Sequence, residues 1–386
     1  MQFGLATYLA SKEIWRNRLR FLLVSVFIAL IAVLVLFTAA LAEGLGSGNR
    51  QFIEKLDANL IVYQDRANLQ IPSSRMDQST IRSLRRVDGV RAVGPLAFSN
   101  AFIIQDGKRP LQSAIIGVMP GEVGEPPVIQ GRQLQRSNAD EAIIDGNVAR
   151  QAGLKVGDRM TLRSVQGTDE KFYDLTIVGL TDNRSYGLAP SVILPSQTWD
   201  KVRPKGASET GNSEVEYNVA AVQLDNPARQ KEMANTLASQ VANITAVDRV
   251  TAYSNTPGYE AQQSTLNTQQ FFAFLIGALV IGGFFQIQLM QRVAQIGMLK
   301  AIGTSNGVIG IAFLLQIIII TAVGVFIGGA GVLLVAQFLP PVVPIVFSPK
   351  TLLTAIGALM IIGPLGGLVA VRSALKVEPL TALRLA

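Results

Sequence analysis

Residues 291–307 read QRVAQIGMLKAIGTSNG and lie between two long apolar runs. They carry only two charges, Arg292 and Lys300. On a helix, Ile296, Leu299, Ala301 and Ile302 share an apolar surface, with Gln295 and Lys300 beside it, and Gly297 and Gly303 bracket the turn. A solvated loop has no need of such a surface, whereas a short helix that docks into a groove on another protein does. The candidate contact segment is therefore Gln295, Ile296, Gly297, Met298, Leu299, Lys300, Ala301, Ile302 and Gly303, and its chemistry is noncovalent. Covalent chemistry is sharply limited, because the chain has no cysteine and no histidine. That excludes disulfides, thiolate or imidazole metal sites, and Ser-His-Asp or Cys-His catalysis. No catalytic residue, resident metal or intrinsic cofactor is expected.

The elements around this segment are set by hydropathy. In a chain of 386 residues only 16% are charged, against roughly 25% in ordinary globular proteins. Four uncharged apolar stretches stand out, at 21–42, 271–290, 308–338 and 351–371. Each meets the roughly 20 residues that a spanning helix needs, and the third is long enough to tilt or protrude. Ala40-Leu41-Ala42 resembles a signal-peptidase site, but the run before it is longer than the apolar core of a cleaved signal, so it reads as a retained span.

Basic residues orient the spans. Lys12, Arg16, Arg18 and Arg20 precede the first, Arg292 and Lys300 join the second to the third, and Arg372, Lys376 and Arg384 follow the last. The connection at 339–350 holds only Lys350. By the positive-inside rule both termini and 291–307 are cytoplasmic, and 43–270 is outside. The external segment is near neutral, so the formal charge of +7 comes from the membrane flanks. It is orientation chemistry and gives no reason to expect a nucleic-acid partner.

Segment 43–270 is long enough for one or two folded units. β-like runs recur at 60–63, 101–104, 114–118, 175–178, 191–194 and 219–222, with helical patterns at 79–87 and 227–241. The mixture predicts an α/β domain. GLKVGD at 153–158 reads as turn–strand–turn, and it lacks the GK[ST] of a phosphate loop. KGASETGNSEVE at 205–216 reads as a polar loop.

At the membrane, Phe3, Ala6, Leu9, Ala10 and Ile14 share one helical face in 1–20, with Trp15 near the border, which predicts an interfacial helix that turns into the first span. Gly324 and Gly328, and Gly363 and Gly367, form small-residue faces for close helix contact, and Pro364 should kink its helix. No charged residue lies inside any span, which disfavours ion-coupled transport. The chain also lacks a Walker A sequence, so energy for any transport must come from a partner.

QRVAQIGMLKAIGTSNGVIGIAFLLQ closely resembles the region after the second span in ABC permeases of the FtsX/MacB/LolCE superfamily. ALKVEPLTALR at 374–384 resembles the family ending, NRLR at 17–20 fits the family's approach to its first span, and the four-span layout covers the whole chain. Within the superfamily, LAEGLG at 41–46 and GYEAQQSTLN at 258–267 look nearest to the HrtB-type haem-efflux branch, although Ala294 stands where that branch has Ser. The resemblance implies a multi-pass plasma- or inner-membrane protein with four transmembrane helices and a large α/β extracytoplasmic domain between the first two. It implies a homodimer bound to two copies of a separate ATPase that carries Mg-ATP, with 295–303 as the coupling helix. It implies mechanotransmission to the external domain, and contact with membrane lipid, from which haem efflux permeases collect their ligand.

The resemblance makes haem the first candidate cargo. Without His or Cys, an axial ligand must be Glu, Tyr or Met. Glu43 and Tyr259 lie at the outer ends of spans one and two, beside Phe271, Phe272 and Phe274, and an aromatic cleft with an oxygen ligand suits a ferric porphyrin. Other members of the superfamily leave two alternatives. One is an exporter of glycolipid, lipoprotein or peptide, for which a periplasmic adaptor is expected. The other is a regulator of a cell-wall hydrolase.

Overall fold

The computed structural model describes residues 2–105, 107–206, 215–339 and 343–375. Two helices come first, α1 (Gln2–Arg16) and α2 (Arg18–Glu54). They are followed by β1 (Leu60–Gln64), α3 (Gln78–Leu84), β2 (Val90–Ile104), β3 (Leu111–Val118), β4 (Val128–Gly131), β5 (Glu141–Asp145) and α4 (Gly146–Ala152). Next come β6 (Arg159–Gln166), β7 (Asp169–Thr181), β8 (Ser191–Pro195), α5 (Ser196–Val202), β9 (Val219–Leu224), α6 (Gln230–Gln240), β10 (Ile244–Asp248) and α7 (Arg249–Ser254). The chain closes with α8 (Tyr259–Met290), α9 (Val293–Ala301), α10 (Asn306–Gln337) and α11 (Pro349–Leu375). Contacts divide it into two compact units, Met1–Gly44 with Gln263–Ala386, and Leu45–Gln262.

In the first unit, α2, α8, α10 and α11 are long and apolar enough to cross a membrane. Small residues let them approach. A Cβ at Gly328 of α10 would lie 2.6 Å from the Ala32 Cβ and 2.7 Å from the Ala29 carbonyl oxygen of α2. Gly324 meets Ile28 of the same helix, and Gly363 and Gly367 of α11 meet Thr321 and Ile317 of α10. A crossing that the sequence did not announce joins α8 to α11, where a Cβ at Gly282 would sit 2.5 Å from the Gly366 carbonyl oxygen. Helix α11 runs on through Pro364. Helix α1 packs against α10, and only Asn17 separates it from α2. Ile14 packs on the bundle core and Trp15 is exposed. The side chains of Phe3, Ala6, Leu9 and Ala10 lie outside the described residues.

The Leu45–Gln262 unit is built on one ten-stranded sheet, ordered β10-β1-β9-β2-β3-β8-β5-β7-β4, with β6 paired to β2 and β7. The β3–β8 and β5–β7 pairs are parallel and the others antiparallel. One core packs Ile103, Ile115, Ile177 and Leu194 around Trp199, and another packs Phe52, Ile53, Tyr63, Ile116 and Ile193. Where β7 and β8 meet α4, the buried Asp145 caps the helix. Its carboxylate accepts from the Val148 N–H at 2.7 Å and the Arg184 N–H at 3.2 Å. Burial pushes that carboxyl above the ordinary range, against the lowering pull of these backbone donors.

Five element boundaries differ from the sequence reading. Helix α2 continues past 42 to Glu54 despite Gly44, Gly46 and Gly48, because its last turns bury Phe52 and Ile53 in the α/β core. Helix α8 begins at Tyr259 rather than at 271, since Glu260, Ala261 and the glutamines after them favour helix although they add no hydropathy. Segment 153–158 holds no strand. Gly153 ends α4 in the left-handed conformation (φ 73°), and Gly157 is again left-handed (φ 98°), so the three residues between them cannot form a ladder. The strand starts at Arg159. Helix 79–87 is shorter than expected, and 227–241 opens as a 3-10 turn at Pro227–Arg229 before α6. Most of the polar 205–216 loop and the 372–386 tail from 376 onward lie outside the described residues.

Candidate functional site

Helix α9 forms a corner between α8 and α10. Arg292 stands at its N-cap position, and its carbonyl accepts from the Ile296 N–H at 2.9 Å. The end is a Schellman motif: Gly303 N–H donates to the Lys300 carbonyl and Thr304 N–H to the Leu299 carbonyl, both at 3.0 Å. Gly303 supplies the positive φ (92°) that this closure requires. Ser305 then caps α10 by accepting from the Val308 N–H at 3.4 Å.

The faces of α9 are not those expected. Ile296 and Gly297 are buried and Leu299 is half-buried, so they pack into the bundle. The outward face is Gln295, Met298, Ala301 and Ile302, with Met298 53% and Ile302 80% exposed. Helix α9 is apolar on two sides, one for its own core and one unfilled. Lys300 is not part of the outward apolar face; its ammonium donates to the Leu375 carbonyl at the end of α11 at 2.8 Å, and burial lowers its pKa.

Behind α9 lies a polar cluster that sequence reasoning missed. Arg292 Nη1 donates to Glu13 Oε1 of α1, and Gln316 Nε2 of α10 donates to Glu13 Oε2 at 2.8 Å. The guanidinium sits 5.8 Å from the Phe21 ring centroid, and burial lowers its pKa. A cavity of about 60 Å³ opens here, lined by Leu299, Ile309 and Phe313 as well as the polar groups. The signal in the sequence was Gln316, an amide in the middle of an otherwise apolar span.

At the other end of α2, Glu43 is half-buried and accepts from the Thr351 hydroxyl at the start of α11 at 3.1 Å. The 343–348 segment lies against α2, with Val346 N–H donating to the Ala40 carbonyl at 3.2 Å. Phe274 packs in the cluster that holds Leu36, Ala39, Phe347 and Leu352. Phe271 and Phe272 are exposed, their rings 5.7 Å apart. Tyr259 belongs to the other unit, its ring 5.9 Å from that of Tyr253. The structure thus brings Glu43 and Phe274 to one end of the bundle and leaves Phe271 and Phe272 facing outward from it.

Residues 21–240 match the MacB-like periplasmic core domain, and residues 270–379 match the FtsX-like permease C-terminal domain. The chain belongs to the FtsX/MacB family of ABC transporter permeases. Its relatives include the hemin transport system permease protein HrtB of Staphylococcus haemolyticus, 27% identical over 97% of this chain and 98% of that one. HrtB of Staphylococcus epidermidis is 24% identical over the same shares of the two chains. An uncharacterised ABC transporter permease of Mycobacterium tuberculosis is 22% identical over 95% of each. As an FtsX/MacB-type permease, the protein is a multi-pass membrane protein with four membrane helices and a large α/β extracytoplasmic domain inserted after the first. Permeases of this family work with an ATPase partner.

Proposed function

We propose that this permease is the membrane subunit of an ATP-driven efflux pump of the mechanotransmission type, in which α9 receives the ATPase, movement is relayed to the external domain, and haem is expelled from the membrane. The carrying observation is the outward apolar face of α9, Met298, Ala301 and Ile302, on a helix capped firmly at its far end. Two permease chains and two ATPase subunits form the pump, with both permease termini and α9 on the cytoplasmic side. The basic residues that flank α1, α9 and α11 support this orientation. It is checked with Thr168→Cys, an exposed position in the β6–β7 turn of a chain that has no cysteine of its own. An impermeant maleimide should label it in intact cells, and labelling only after permeabilisation refutes the orientation.

Haem as cargo is supported by the two HrtB relatives, which align over nearly their whole length. Glu43, at the outer end of the first span, supplies an oxygen donor at the end of the bundle where Phe347 and Phe274 pack. A Soret titration of the purified protein should show saturable binding, weakened about tenfold or more in Glu43→Ala, the effect of losing one charged ligand. Absence of saturable binding by the parent chain removes haem as the cargo.

A further inference from the structure

Among the described residues, the Glu13–Arg292–Gln316 cluster is the one place where these three helices meet through charge. Glu13 lies one turn before the junction of α1 with α2, Arg292 lies at the α8–α9 corner, and Gln316 lies inside α10. Arg292 has its side chain 7% exposed and Gln316 is 1% exposed, so water does little for either. A guanidinium in that position requires a carboxylate, since a buried charge without its partner is strongly unfavourable. The carboxylate comes from α1 and is itself divided, one oxygen to Arg292 and one to Gln316. The Gln316 Oε1 is buried and has no hydrogen-bond partner among the described residues. The amide is thus committed through its donor side, and Glu13 decides how it points.

We infer that Glu13 is a positioning residue for energy coupling: through Arg292 it fixes the direction of α9 relative to α1 and α10, so that displacement of α9 moves the base of α2 and of α10 with it. This inference rests on the reading of α9 as the ATPase-contacting helix. Apolar contacts alone do not set this direction. Ile296 and Leu299 can slide or rotate on Ile309 and Phe313 at little cost, whereas a hydrogen-bonded ion pair whose guanidinium is buried and whose carboxylate is partly buried specifies one geometry.

The test uses the absence of native cysteine. Spin labels at Ser11→Cys on α1 and Thr304→Cys beyond α9 report their separation by pulsed electron resonance in the permease alone. The parent chain should give one narrow distance, and Glu13→Gln a broad distribution. The charge-reversed pair E13R/R292E should narrow it again, because the unused Gln316 oxygen can accept from an arginine at position 13. In vesicles containing permease and ATPase, with haem as the probe, E13Q should keep the ATPase bound and hydrolysing while haem exported per ATP falls about tenfold, a usual size for coupling between sites. The reversed pair should restore most of that ratio. A distance distribution unchanged by E13Q, or export per ATP unchanged despite a broadened one, overturns the inference, as does a reversed pair that restores neither. Failure of the underlying α9 reading is seen separately, as an ATPase that stays bound when the outward face of α9 is charged.

Discussion

The double variant Met298→Asp, Ile302→Asp is expected to lose its ATPase subunit on purification and all substrate-stimulated ATP hydrolysis. Both side chains stand clear of the protein, so the substitutions cost the permease itself little. On the proposed reading the same two positions enter an apolar groove of the ATPase, where a carboxylate is stripped of water without a partner. Central apolar contacts in interfaces are worth about 2–4 kcal/mol each when lost, and two of them should weaken binding by about a thousandfold or more. Ile296→Asp makes the contrast. It lies two residues before Met298, in the bundle core, and should fail by misfolding. Co-purification measured beside thermal stability separates the two. Retention of the ATPase by a stable double variant rules out α9 as its receptor.

Gly328→Leu should be strongly damaging to the membrane unit. The Ala29 carbonyl oxygen and the Ala32 methyl occupy the space a side chain would need, and the first is backbone that cannot rotate aside. Overpacking of this kind costs about 1–3 kcal/mol even where neighbours can adjust. Here it forces α10 away from α2, which already has few polar contacts to hold it. The variant should express poorly or unfold well below the parent in detergent. Gly283→Leu is the matched control, since nothing lies within 4 Å of a Cβ there. Equal thermal stability of G328L and the parent would show that α2 and α10 do not depend on that contact.

Much of this was readable from residue order because it is local. The spans follow from uncharged runs, and the α9 ending follows from Gly303 at a position that only a left-handed residue fills. The glycine pairs of α10 and α11 were recognisable by their spacing, and all four pack as such pairs do. Contacts between distant segments were not readable. Gly282 and Gly366 belong to no Gly-x3-Gly pair on their own helices, yet they make a backbone crossing. Glu13 and Arg292 are 279 residues apart and each sits among flanking charges, so both passed for orientation signals. Periodicity showed that α9 has an apolar surface but not which part of it faces inward. Ile296 and Leu299 looked as available as Met298 and Ile302 until the neighbouring helices were in place. At the outer end, Glu43 was placed by span length, while its bond to Thr351 depends on where α11 starts.

The first and last strands of the α/β domain are neighbours, Leu60 paired with Asp248 at the end where the chain enters and leaves. Tension applied to those two chain ends would open the β1–β10 ladder like a zipper, one rung at a time, the weakest way to load a sheet. Arg249 reinforces that point: its Nη1 donates to the carbonyl oxygens of Glu54 and Leu56, each at 2.8 Å, tying the end of α2 to the start of α7. The domain thus carries a clasp across the mouth of its own zipper, and a pull must undo Arg249 before it reaches the first rung.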